Sequence, residues 1–184
     1  TYDAALLTST FFPKTTINLA QLTTAQSFRA FTVNAKPDTQ RDLEAYLANI
    51  SYAYAKWLTL TAYDYRLDFE PTTTPAAPPD SDTIGLRASG SVPMATITLS
   101  YALEYAKQKG YKDSTSDVGD AAYELAELSV VWKMLKATAG YELLGSNDTG
   151  TYGFKTPLAT LHAFQGWADV FLSTPNAGMD DLYL

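Results

Sequence analysis

The sequence predicts an all-β chain, and within that class a transmembrane antiparallel up-and-down β-barrel, on three observations. Eight strand-like runs of about 9 to 13 residues alternate apolar and polar side chains. The connections between them are short and long in turn. Aromatic residues gather towards both ends of the greasy faces. Globular strands average roughly 5–6 residues, whereas a tilted strand needs about 9–11 to cross a bilayer.

The runs fall near 3–11, 15–24, 43–54, 57–69, 83–92, 96–107, 121–132 and 134–144, and "DDLYL" at the end reads as the start of a ninth. In 43–54, Tyr46, Ala48, Ile50 and Tyr52 oppose Asn49 and Ser51. In 57–69, Tyr63, Tyr65, Leu67 and Phe69 share a face opposite Asp64, Arg66 and Asp68. In 83–92, Ile84, Leu86 and Ala88 oppose Thr83, Gly85, Arg87 and Ser89. The stretch "TLSYALEYAK" puts Leu99, Tyr101, Leu103 and Tyr105 opposite Ser100, Ala102, Glu104 and Ala106. In 134–144, Leu135, Ala137, Ala139, Tyr141 and Leu143 oppose Lys136, Thr138 and Glu142.

Close connections are expected at "FPK" (12–14), "AK" (55–56), "SVP" (91–93) and Lys133. Between those pairs lie "TAQSFRAFTVNAKPDTQRD", "EPTTTPAAPPDSD", "QKGYKDSTSDVGD" and the stretch 145–178. Outer-membrane barrels sort their connections in this way, tight on the periplasmic side and long outside. A soluble β-sandwich shows similar alternation but has no reason to sort its loops. An aromatic girdle is expected from Tyr54, Trp57 and Trp132 beside the short turns and from Tyr63, Tyr65, Tyr105 and Tyr141 nearer the long loops, each ring half apolar and half wet.

Composition agrees. The 184 residues are 46% hydrophobic and 13% aromatic, with 13 tyrosines, but only 18% charged, against about 25% in soluble domains. No run of about 18 apolar residues exists to make a membrane helix. The net charge of -7 disfavours nucleic acid as a partner. With no cysteine and one histidine there is neither a disulfide nor an obvious metal or cofactor site. His162 lacks ligand or triad partners in a recognisable motif, so no enzyme activity is expected. The start at Thr1 fits either a removed signal peptide or a piece of a longer chain.

Charges on the polar faces would line a lumen and set the potential a solute meets. They are Arg66, Arg87 and Lys136 with Asp64, Asp68, Glu104, Glu127 and Glu142, three basic against five acidic. The segment 145–178 is too long and too apolar for an idle loop. It is expected to fold over or into the lumen as a constriction carrying Lys155, His162, Trp167 and Asp169, with a short amphipathic helix in "LATLHAFQGWADVFL".

The C-terminal stretch from Gly140 to Leu184, above all "FKTPLATLHAFQGWADVFLSTP" (154–175), resembles the bacterial alginate-export-like porin family. "LTSTFFPKTTINLA" and "ANISYA" with "LTAYDYRLDF" and "SDTIGLRASG" are similar to its consecutive strands. The resemblance implies residues 1–184 as a single barrel domain or part of a larger barrel in the bacterial outer membrane. It implies passive diffusion of small hydrophilic solutes or saccharides, contact with membrane lipid and lipopolysaccharide, and a homo-oligomer as one arrangement. The acidic excess departs from a pore built for a polyanion. A non-conducting structural or adhesive barrel and a soluble β-sandwich binding module are the alternatives.

Overall fold

In the computed structural model, residues 2–33, 36–70, 80–112, 114, 119–158 and 174–184 are described, with side chains outside 26–41. Nine strands form one sheet: β1 (Tyr2–Ser9), β2 (Thr15–Val33), β3 (Lys36–Ala55), β4 (Leu58–Phe69), β5 (Ser81–Met94), β6 (Ile97–Gly110), β7 (Ala121–Trp132), β8 (Leu135–Leu144) and β9 (Met179–Tyr183). Each pairs antiparallel with its sequence neighbours only, in the order β1 to β9. The described strands thus form one sheet and not the two of a sandwich.

The expected linker 24–42 is largely strand. β2 and β3 continue as a long hairpin in which Gln26 pairs with Gln40 and Val33 with Lys36. Its polar residues and Pro37 hid the pattern, because proline and polar residues such as Asn and Asp are depleted in strands. The turn expected at "SVP" lies two residues later: Pro93 pairs with Thr98 and Met94 with Ile97, leaving Ala95 and Thr96 as the turn.

The short turns contain Lys14, Ala95 and Lys133 at φ of 59°, 30° and 53°. In the two-residue turns at Ala95 and Lys133 such left-handed backbone matches the strand twist, and an L-residue there is strained by about 1–2 kcal/mol. Ala95→Gly removes that strain at some entropic cost to the folded state, so a net gain of about 0.5–1 kcal/mol is expected. The midpoint of urea unfolding checks it.

Candidate functional site: the concave face and its strap

Residues paired across strands point to the same side of a sheet, so the register sorts every side chain. One side carries Ile50, Leu60, Leu86, Leu103, Leu128, Leu135 and Leu182. They are large and open to the surroundings, at 57% for Leu86, 52% for Leu103 and 48% for Leu128. Such a band, running across the strands, far exceeds the scattered apolar exposure of an ordinary soluble surface. Tyr52 and Trp132 lie at the short-turn end of this side. Tyr54 at the end of β3 and Trp57 in the adjoining turn set their rings 5.5 Å apart, edge to face. Tyr46, Tyr105 and Tyr141 lie towards the long-connection end.

The other side is concave and mixed: polar groups run over β4 to β9, and an apolar cluster of Leu22, Leu43, Ala45, Leu67 and Phe69 lies on β2 to β4. Near the short turns it is a belt of small hydroxyl and amide groups. Ser51 and Thr61 bond at 2.8 Å, Ser129 and Thr138 at 2.8 Å, and Ser100 donates to Ser91 at 3.2 Å. Lys136 lies on this side, paired with Val131. The next layer is acidic and phenolic. Tyr63 donates to Glu104 at 2.6 Å, Tyr123 to Glu142 at 2.7 Å and Tyr183 to Glu127 at 2.9 Å. Arg87 pairs with the second oxygen of Glu104. Asp181 stands beside Glu142 across the β8–β9 ladder. These groups line an open cavity of about 830 Å³ together with Leu47, Tyr65 and Leu125.

Two expectations are corrected by the register. Tyr63 and Tyr65, expected in the girdle, face the cavity with their rings stacked 4.7 Å apart. Asp64, Arg66 and Asp68, expected beside Arg87, face the opposite side, paired with Ile84, Asp82 and Glu44. β4 has its greasy-looking face inward, because the Tyr63 hydroxyl satisfies Glu104, the Tyr65 hydroxyl accepts from Asn49 Nδ2, and Gly85 makes room for the Tyr63 ring. A Cβ at Gly85 would lie 2.2 Å from that ring. The displaced charges sit towards the long-connection end. There Arg66 holds Asp64 at 2.7 Å, and Lys112 bridges Asp68 and Glu44. The hydrogen bonds to Asp68 and Glu44 raise the Lys112 ammonium above its usual range. Arg87, Glu104, Glu127, Glu142 and Lys136 share the concave side.

From Leu144 the chain turns inward. Gly145 N donates to Ala122 O at 2.7 Å and Phe154 N to Gly145 O at 2.8 Å. The turn between them is tied by Asn147, whose Oδ1 accepts from Thr151 N at 2.9 Å and Tyr152 N at 3.1 Å. Tyr152 and Phe154 are buried against Ala106, Tyr123 and Leu144. The chain then passes Gln108 and reaches Leu158, which packs on the Leu22, Leu43 and Leu67 cluster of β2 to β4. Tyr2 of β1 donates to Leu158 O at 2.9 Å. Residues 145–158 therefore form a strap across the concave face from β8 to β1, and Phe154 to Leu158 line the cavity. Burial lowers the Lys155 ammonium below its usual range and raises the Tyr152 phenol. His162, Trp167, Asp169 and the expected helix lie outside the described residues.

Gln108, Asp181, Tyr183 and the hydroxyl belt were not singled out in the sequence. Tyr183 lies two residues from Asp181 and shares its side, so following the parity of that carboxylate marks it. Gln108 carries no local signal; its partners are 25 and 47 residues away. Among the described residues no group of three or more potential metal ligands occurs. Comparison with family models, curated proteins and solved structures gave no significant match.

Proposed function

We propose that the chain forms the wall of a bacterial outer-membrane β-barrel through which small hydrophilic solutes diffuse passively, as through a porin. The observation that carries this is how the two sides of the sheet are dressed: a band of aliphatic side chains is exposed on one side, while carboxylates, phenols and hydroxyls on the other line the cavity. Lipid is the medium in which that arrangement costs least, because aliphatic side chains need no water and every strand hydrogen bond but those at an edge is satisfied. The Trp and Tyr residues at the two ends of the band suit the bilayer interfaces. Lipopolysaccharide would meet the charged end around Arg66 and Lys112.

The solute reading follows from the wall. The cavity carries Glu104, Glu127, Glu142 and Asp181 against Arg87 and Lys155. Cations and neutral saccharides should therefore pass more readily than anions. Resemblance to alginate-export-like porins supports a pore, while this charge balance argues against a polyanion as its solute. No chemistry is assigned to the chain; the hydroxyls and carboxylates bind water and solute.

Purified protein refolded into a planar bilayer should give steady ohmic steps with cation preference. Glu127→Gln combined with Glu142→Gln should lower the potassium-to-chloride permeability ratio by about twofold or more, read from reversal potentials. The strap favours one second reading, a non-conducting barrel that meets partners through its long connections. Electrical silence from inserted protein would select it.

A further inference from the structure

Gln108 is 1% exposed and every polar atom of its amide is used. Nε2 donates to Thr83 Oγ1 at 2.9 Å and to Lys155 O at 2.9 Å. Oε1 accepts from Lys155 N at 2.8 Å and from Tyr152 OH at 2.8 Å. The side chain thus reads both backbone groups of Lys155, as a neighbouring strand would, and ties the strap to β6 at the middle of its crossing. On either side the strap is anchored by Phe154 beside Tyr123, ring centroids 5.5 Å apart, and by Leu158 with its bond from Tyr2.

We infer that Gln108 is the positioning residue that fixes residues 145–158 as a permanent constriction, and that this strap sets the largest solute the pore admits. A segment merely resting on the wall would need no such pairing. A buried amide left with unmet partners is costly, so the four bonds hold or fail together. The carbonyl of Pro175 braces the strap from its return limb: a Cβ at Gly153 would lie 2.1 Å from it. The idea rests on the pore reading above, and its test separates the two.

Gln108→Met keeps the length and removes all four bonds. In lipid, the variant should exchange the Lys155 amide proton at least tenfold faster than the parent protein. Its single-channel conductance should rise, and polyethylene glycols too large for the parent channel should enter and reduce the current. Gly153→Ala, which leaves the wall intact, should shift both readouts the same way and serves if Gln108→Met does not fold. Unchanged Lys155 exchange would overturn the anchoring role. Faster exchange with unchanged conductance and unchanged polymer cut-off would overturn the constriction. A parent protein that inserts but never conducts would refute the pore, and with it the constriction, while Lys155 exchange would still decide the anchor.

Discussion

Leu103→Arg is expected to lower the stability of the protein folded in lipid bilayers by about 2–4 kcal/mol, the cost of a cation at mid-membrane on a lipid-facing strand position. Leu103 lies between Ala88 and Ala126 on the exposed side and is 52% open. If that side faced water, arginine there would cost close to nothing, since surface substitutions away from special features fall within about 0.5 kcal/mol. The two environments therefore differ several-fold in the same measurement, urea titration of reversible folding into vesicles. Ser100→Arg, on the concave side within the hydroxyl belt, is the control and should cost less than Leu103→Arg.

Gly90→Ala is expected to destabilise by about 3 kcal/mol, at the upper end of overpacking effects. A Cβ there would lie 1.9 Å from the carbonyl oxygen of Trp57, and backbone cannot rotate aside as a side chain can. That carbonyl also accepts from Tyr101 OH at 2.8 Å, and Ser91 N donates to Lys56 O at 3.0 Å. Two strands, β5 and β6, are locked to the β3–β4 turn at this one point. Adding a methyl must lift the turn and break both bonds. Gly85→Ala should be milder, because its obstacle is the Tyr63 ring, which can swing away at the loss of its bond to Glu104. Parallel urea titrations of the two variants give the comparison.

The strands were legible because alternation is a local signal: β6 and β7 were read to within a few residues of their observed ends. Which side of β4 faces the cavity was not. Tyr63 and Tyr65 look apolar, and Asp64 and Arg66 look luminal, until Thr61 is paired with Arg87. A period of two fixes which residues share a side but leaves the sign to the neighbouring strand. The path of 145–158 to Gln108 was not legible in the sequence. Contacts between residues 47 positions apart leave no trace in local spacing.

The exposed apolar side facing lipid is the central claim, and the chain's lack of cysteine makes its test clean. A nitroxide attached at single cysteines from 98 to 107 reports oxygen, which concentrates in lipid, against a water-soluble nickel chelate. Oxygen collisions should peak at 99, 101, 103 and 105, with nickel collisions dominating at 98, 100, 102 and 104. Nickel access at 99, 101 and 103 equal to that at the even positions would contradict the account, since the leucines would then face water.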